Sequence, residues 1–166
     1  MAVTKTVEQA LITFRLGFQT FGLPIEPILQ VIPMVTIQPL PGVNHSVEGT
    51  INYHGRVIPV FNLRRHLGLP EASFRLDTPI ILIQASQGEF GLIVDEIQVV
   101  FTPHPEDILE VSEVLKTSLT EKDALQGFIR AANQFIIVLN PDELPDPDSL
   151  KTVMEAIEAL STEFNT

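Results

Sequence analysis

The 166-residue sequence contains no cysteine, which removes several kinds of chemistry at once. Disulfide bonds, thiolate zinc sites and a cysteine nucleophile are all excluded. Basic residues are also scarce, since ten Lys and Arg stand against 21 Asp and Glu, for a net charge of −11. A protein that binds a phosphate backbone needs the opposite sign, clustered on one face. Nucleic acid and anionic membranes are therefore poor partners, whereas a protein or a small ligand stays open.

Long apolar runs and a secretory signal are absent as well. The longest apolar runs are far shorter than the ~20 residues that span a bilayer. The first ten residues carry Lys5 and Glu8 among polar residues, unlike a signal peptide. The sequence therefore predicts a cytoplasmic protein without membrane insertion. Apolar residues still make up 45% of the chain, enough to bury a core without metals or disulfides.

Motifs for common catalytic chemistries are missing too. The sequence has no P-loop, dinucleotide fingerprint, nucleophile elbow or zinc-protease motif. Its four histidines, at positions 45, 54, 66 and 104, have no recognised metal-ligand spacing. Asp95 and Glu96 are strand neighbours that point to opposite faces, so they do not share a proton. We predict that the protein is not an enzyme and uses no metal and no cofactor.

Two similar phrases, FGLPIEPI at 21–28 and FGLIVDEI at 90–97, indicate an internal duplication. The surrounding segments align at an offset of 69 residues, which becomes 78 further along the chain. The matching glycine and asparagine pairs are Gly22 with Gly91, Gly49 with Gly127, and Asn62 with Asn140. Nine extra residues fall between Val100 and Leu125. We therefore predict two similar β-units, in which the equivalent acidic residues Glu26 and Asp95 accept turn or strand-end N–H bonds.

Short strands punctuated by glycine and proline dominate the predicted secondary structure. Alternating apolar residues indicate strands at 11–16, 18–23, 47–63, 80–85, 90–101 and 128–139. His54 and Gly55 form the turn of the 47–63 hairpin, where glycine supplies a positive φ. Pro27 is expected to begin a short helical turn through Val31. Many short strands without long intervening helices predict small barrels rather than a parallel βαβ sheet.

One longer helix is predicted after Pro145-Asp146-Pro147. Asp148 or Ser149 can serve as its N-cap. The helix carries one apolar stripe, formed by Leu150, Val153, Met154, Ile157 and Leu160. Two interpretations stay open: the stripe docks onto the parent domain, or it binds the groove of a partner.

The hairpin with the polar tip His54, Gly55 and Arg56 lies in a segment that resembles a known signature. A solvated hairpin tip and a partner contact both fit these three residues. EGTINYHGRVIPVFNLRRHLGL resembles the pattern G-x-x-N-L-R-G-x-[IV]-x-P-[IV]-[IV]-[DN]-L-R-x-x-[LF] of CheW-type chemotaxis coupling proteins. The matching positions are Gly49, Asn52, Gly55, Val57, Pro59, Val60, Asn62, Leu63, Arg64 and Leu67. The segments FGLPIEPILQVI, FGLIVDEIQVV and LQGFIRAANQFIIVLN resemble further family motifs in the right order.

The resemblance covers about residues 11–144 and implies two similar five-stranded SH3-like β-barrels packed together. With the predicted C-terminal α-helix, the fold class is mostly β. The expected divisions are a tail at 1–10, one CheW-like domain at 11–144, and an acidic linker with the helix at 145–166. The first barrel is expected at about 18–79 and the second at about 80–140. The strand at 11–16 and the C-terminal segment are expected to cross between them.

The function that the resemblance implies is that of a non-catalytic signal-transduction adaptor. Such a protein couples a methyl-accepting chemoreceptor to a CheA-type histidine kinase, by binding the kinase's CheW-like regulatory domain. Family members bind the receptor's cytoplasmic helical tip in the groove between barrels. The receptor-facing candidates carried over are Ile28, Gln30, Gly49, Asn52 and His54, with Gly55 and Arg56 as further hairpin-tip contacts. The protein alone is expected to be monomeric, and to join receptor arrays at the inner membrane through its partners.

Two departures from the family pattern matter most for binding. His54 replaces the Arg of N-L-R-G, and Gln30 replaces the Glu of V-x-E-[IV], residues that are expected to pair as ions in the family. Because both charges are lost together, we predict a neutral Gln30–His54 contact. The exchange favours a divergent member in a pilus, twitching or phototaxis array. Barrel edge strands and exposed apolar patches are expected to contact the kinase. The alternative function is a small-ligand binder that uses the inter-barrel cleft.

Overall fold

The protein is represented by a computed structural model that describes residues 9–43, 45–109, 125–132, 134–145 and the single residue 155. Its strands are β1 (Leu11–Leu16), β2 (Gln19–Pro24), β3 (Ile28–Pro33), β4 (Val47–Tyr53), β5 (Arg56–Asn62), β6 (Pro79–Ala85), β7 (Gly88–Ile93), β8 (Glu96–Phe101), β9 (Ile108–Leu109), β10 (Leu125–Ala131) and β11 (Gln134–Leu139). A short helix α1 spans Leu63–His66, and a 3₁₀ turn spans Pro105–Asp107. The predicted C-terminal helix lies outside the described residues, apart from Glu155, which is helical.

The chain forms two compact units, each with its own sheet. Unit 1 draws on Met1–Ile28 and Val94–Leu144, and unit 2 on Leu29–Ile93 and Pro145–Thr166. The sheet of unit 1 has the strand order β8-β1-β2-β11-β10-β9, and that of unit 2 the order β3-β6-β7-β5-β4. The mostly β fold class with two similar sheets is confirmed. Among the described residues, no helix is long and apolar enough to cross a membrane.

The two sheets repeat one topology. Strands β1, β2 and β3 correspond to β6, β7 and β8 at the offset of 69, and β4 and β5 correspond to β10 and β11 at 78. Each sheet contains a parallel pair at the equivalent place, β2 with β11 and β7 with β5. In unit 1 the two-residue strand β9 pairs with β10, and in unit 2 an isolated bridge joins Gln38 to Thr50 of β4. The predicted duplication is therefore confirmed, with β9 as the sixth strand of unit 1.

The two repeats exchange their first hairpins. The β1–β2 hairpin comes from the first half of the chain but pairs with β8 and β11. The β6–β7 hairpin comes from the second half but lies between β3 and β5. The predicted contiguous barrels at 18–79 and 80–140 are therefore wrong about β2, β6 and β7. The physical reason is that the parallel partner of each hairpin lies in the opposite half.

Two further local predictions are corrected. Residues 28–31 belong to the edge strand β3 and not to a helical turn, because Ile28, Val31 and Ile32 are β-branched and favour extended backbone. An edge position also tolerates Pro33, which has no N–H to donate. The predicted strand at 90–101 is interrupted at Val94 and Asp95, so β7 and β8 belong to different sheets.

Each unit has its own apolar core. In unit 2 the buried cluster consists of Ile32, Ile51, Ile58, Val60, Ile80, Leu82 and Ile93. In unit 1 it consists of Leu11, Ile129, Ile136 and Val138. Burying one such side chain contributes roughly 1.5–3 kcal/mol, which makes these alternating apolar positions the main stabilising element of each sheet.

Equivalent asparagines terminate the last strand of each repeat. Asn62 ends β5, and its Oδ1 accepts a hydrogen bond from the Arg65 N–H at 3.4 Å, as the N-cap of α1. Asn140 follows β11, and its Oδ1 accepts from the Asp142 N–H at 3.1 Å. Asp95 has the predicted strand-end role, since its Oδ2 accepts from the Gly17 N–H at 2.7 Å.

Candidate interaction surface

The edges of the unit 2 sheet, β3 and β4, are joined at two places. Tyr53, at the end of β4, donates its hydroxyl to Oε1 of Gln30 in β3. Gln38, beyond the end of β3, exchanges two backbone hydrogen bonds with Thr50 of β4, at 2.8 and 2.9 Å. The segment that follows β3 is thereby bridged to β4, while β3 and β4 remain the two edges of the hydrogen-bonded sheet.

Gly49 makes the second of these junctions possible. Its φ is +151°, and a Cβ built there would lie 2.2 Å from the Gln38 carbonyl oxygen. Gly49 is buried, so its missing side chain is explained by the close approach of Gln38. Of the predicted receptor-facing residues, it is the one that the structure places in the interior.

The tip of the β4–β5 hairpin has the turn that the sequence predicts. His54 has a φ of +52° and Gly55 a φ of +83°, and two positive φ values are characteristic of a type I′ turn. Oδ1 of Asn52 accepts a hydrogen bond from the Gly55 N–H at 3.1 Å. The backbone of the tip is therefore fixed by one of its own side chains.

Tyr53 lies at the centre of the side chains at this tip. The imidazole of His54 packs edge-on against its ring, with centroids 4.3 Å apart and an interplanar angle of 74°. The Arg56 guanidinium lies 5.8 Å from the ring centroid, within the range of a cation–π contact. Arg56 also pairs with Glu89 at 2.8 Å. We call Gln30, Asn52, Tyr53, His54 and Arg56 the hairpin-tip surface.

The predicted Gln30–His54 contact is not made through a hydrogen bond between these two side chains. Within the described residues, both side chains contact Tyr53 instead. The physical reason is the turn: with a φ of +52°, His54 leaves the strand alternation that brings Tyr53 to Gln30. Sequence reasoning missed Tyr53, although one signal was available, because Tyr53 stands where the N-L-R-G motif has Leu.

The remaining predicted site residues lie on β3 and on the β4–β5 hairpin. Ile28 is half-buried at the start of β3, whereas Gln30, Asn52 and His54 are exposed. Gly55 and Arg56 are exposed as well. All of the predicted residues therefore belong to β3 or to the β4–β5 hairpin. All except the buried Gly49 are at least partly accessible to solvent.

Unit 1 carries a different exposed feature, an edge strand with two exposed valines. β8 pairs with β1 and is an edge of its sheet. Val99 and Val100 are 60% and 53% exposed on this strand. The Thr13 hydroxyl donates to the Val99 carbonyl at 2.8 Å and accepts from the Val99 N–H at 3.0 Å, which fixes β8 at the register shift of β1. We call Val99 and Val100 the β8 edge.

A charged group surrounds the start of α1. Arg65 pairs with Glu48 at 3.1 Å and with Glu71, and Asn62 donates from Nδ2 to Glu48 at 3.0 Å. The hydrogen bond from Arg65 and its positive charge lower the pKa of Glu71. These contacts fasten the chain on both sides of α1, so they have a structural role.

Comparison with known proteins agrees with this arrangement. The CheW-like domain family matches residues 10–147. The chain belongs to this family. CheW-like proteins are non-catalytic scaffolds, which confirms the prediction that the chain is not an enzyme.

Several curated relatives have related names. The chemotaxis protein CheW of Thermotoga maritima is 30% identical over 154 residues, covering 89% of this chain and 97% of the relative. The chemotaxis protein CheW of Bacillus subtilis is 26% identical over 153 residues, covering 92% and 96%. Protein PilI of Pseudomonas aeruginosa is 31% identical over 86 residues, covering 52% and 48%.

The fold has a counterpart among solved structures. The scaffolding protein TtCheW from Thermoanaerobacter tengcongensis matches with a TM-score of 0.73 and 25% sequence identity, covering 82% of this chain and 92% of that one. The family match, the sequences of the relatives and the fold therefore agree with one another.

Proposed function

We propose that the chain couples a methyl-accepting chemoreceptor to a CheA-type histidine kinase in the cytoplasm. The observation that carries this proposal is the CheW-like match over residues 10–147, on a fold with exposed features in both of its units. An adaptor needs at least two binding surfaces and no reacting groups. The hairpin-tip surface in unit 2 and the β8 edge in unit 1 meet the first requirement.

The hairpin-tip surface is the proposed receptor contact. It contains the receptor-facing candidates Gln30, Asn52 and His54, which are exposed, and Ile28 lies at the start of the same strand β3. Its turn is fixed by Asn52, and β3 is tied to β4 by Tyr53. A surface with fixed backbone binds a helical tip at a lower entropic cost than a mobile loop does.

The β8 edge is the proposed contact with the kinase's regulatory domain. An exposed apolar edge strand attracts a pairing partner, and soluble proteins generally protect such edges with charges or short strands. β8 is six residues long, and its neighbouring Val99 and Val100 are both exposed. Because neighbouring strand residues point to opposite faces, a strand added at this edge would border both valines, whereas an apolar surface of the kinase domain would cover one of them.

The array served is proposed to be of the pilus type. The support is the 31% identity to PilI over half of each chain, together with Gln30 and His54 in the hairpin-tip surface, which replace the Glu and Arg of the family pattern. A surface that lacks the Glu–Arg ion pair of the family pattern is expected to bind a different receptor from surfaces that have this pair.

Calorimetric titration with the regulatory domain of a CheA-type kinase from the same organism tests the kinase contact. We expect micromolar affinity, and Val100→Glu should weaken it about tenfold or more, because it places a charge on the apolar edge. Leu76→Glu is the matched control, since Leu76 is 91% exposed in unit 2. It should change the affinity less than about twofold. Absence of wild-type binding would contradict the adaptor function, and equal loss in both variants would contradict the β8 edge.

A further inference from the structure

We infer that Tyr53 is a specificity-determining residue of the hairpin-tip surface, an inference that rests on the proposed receptor binding. Gln30, Tyr53 and His54 depart from the family pattern in polarity or charge, since Glu, Leu and Arg stand at these positions in it, whereas Phe61 replaces one apolar residue by another. The structure joins all three in one group, with Tyr53 between the other two. Three departures in mutual contact indicate one change of surface chemistry rather than three separate ones.

The position of Tyr53 ties together the two parts of the surface. Gln30 lies on β3 and Asn52 on β4, and these strands are opposite edges of the sheet. Among the described residues, the Tyr53–Gln30 hydrogen bond is the side-chain bond that joins them. The Tyr53 ring also packs against the core of unit 2. Tyr53 therefore sets the spacing between Gln30 and the hairpin tip.

The five residues of the hairpin-tip surface include no carboxylate, and Arg56 is their one permanently charged side chain. Gln30 and Tyr53 satisfy each other without a charge, and the charge of Arg56 is balanced by Glu89. A partner that presents an isolated carboxylate or ammonium would lose hydration there without gaining an unpaired counter-charge. The surface therefore fits a receptor helix whose central contact residues are uncharged polar or apolar. We expect its affinity to change less than about twofold between roughly 50 and 300 mM salt, because screening acts on charge pairs.

The inference is tested by titrating the cytoplasmic tip fragment of a methyl-accepting receptor from the same organism into wild type, Tyr53→Phe, Gln30→Leu and the double variant. Phe keeps the ring against the core and removes only the hydroxyl. Each single variant should lower receptor affinity about tenfold, and the double variant no further, because both remove the same hydrogen bond. Gln84→Leu, an exposed strand glutamine of the same sheet, is the control and should bind as wild type.

Parallel titration with the kinase regulatory domain separates a specific effect from a general loss of folding. We expect kinase affinity to stay unchanged in Tyr53→Phe. The inference is overturned if this variant binds the receptor as wild type does, if the two single effects add, or if receptor and kinase affinities fall together. A wild-type protein that does not bind the receptor fragment would overturn the proposed receptor binding itself, and the inference with it.

Discussion

At the scale of single residues, Gly49 is a position that cannot accommodate a β-carbon without strain. Its φ of +151° is unfavourable for other residues, and a Cβ would lie 2.2 Å from the Gln38 oxygen. Gly49→Ala should lower the free energy of unfolding by on the order of 4 kcal/mol, from backbone strain and steric overlap together. Chemical denaturation monitored by circular dichroism measures this loss.

Gly55→Ala is the control for Gly49→Ala. Gly55 also has a positive φ, +83°, but a Cβ there would meet no atom within 4 Å. Its replacement should cost only the strain of the left-handed conformation, about 1–2 kcal/mol. Equal losses in the two variants would show that the approach of Gln38 does not decide the requirement at Gly49.

Asn62 supports a second prediction at this scale. Its Oδ1 caps α1, and its Nδ2 donates to Glu48. Asn62→Ala should destabilise the protein by about 2 kcal/mol, since a cap and a hydrogen bond to a carboxylate are both lost. The repeat-equivalent Asn140→Ala should cost about 1 kcal/mol, because the side chain of Asn140 accepts one hydrogen bond in its turn. Thermal unfolding of the pair would contradict this ranking if Asn140→Ala were the more damaging variant.

The contacts of His54 and Tyr53 show which features of the hairpin could be predicted from the sequence and which could not. The turn at His54-Gly55 was predictable because glycine after a polar residue favours a type I′ hairpin. The partner of Gln30 was not, since it depends on which hairpin residue remains in strand geometry. A left-handed φ at His54 removes it from the alternation and leaves Tyr53 facing β3. Which residue faces β3 is therefore decided by the backbone conformation of the turn, and the sequence pattern does not specify that conformation.

At the scale of elements, the exchange of hairpins is the feature that determines both sheets. Strand positions followed from local alternation and from the repeated FG phrase, so most strands could be predicted. Which sheet receives β1–β2 or β6–β7 could not be, because both hairpins carry the same pattern and fit either site. The choice is made by the parallel pairings of β2 with β11 and β7 with β5, which are distant in sequence.

This exchange predicts how a divided chain behaves. Fragments 1–72 and 73–166, cut within the exposed stretch 71–77, should each lack a cooperative unfolding transition. Neither fragment contains all the strands of one sheet. Mixed or co-expressed, they should form a complex with the circular dichroism spectrum of the intact protein. As a control, the full chain cleaved at an inserted protease site at this position should stay folded. A stable, cooperatively unfolding 1–72 fragment would contradict the exchanged topology.

At the scale of the whole molecule, the net charge and the division into two units are both consistent with a scaffold protein. A net charge of −11 disfavours association between copies, so assembly depends on complementary partners. The proposed contacts lie in different units, with the hairpin-tip surface in unit 2 and the β8 edge in unit 1. Variants in one unit should therefore affect one partner and spare the other, which is how the two titrations above distinguish them.

The exchanged hairpins also set the order in which the protein can assemble on the ribosome. The sheet of unit 2 has all its strands once residue 93 has been synthesised. The β1–β2 hairpin is made first, yet β8 follows only from residue 96 and β11 ends at residue 139. Until those strands are synthesised, the hairpin has no neighbouring strand on either side. Leu11 and Phe14, which are buried in the folded protein, then lack the packing of the complete sheet. The β1–β2 hairpin is thus synthesised before the strands of unit 2 but covered after them, and during that interval it is a segment that a chaperone would protect.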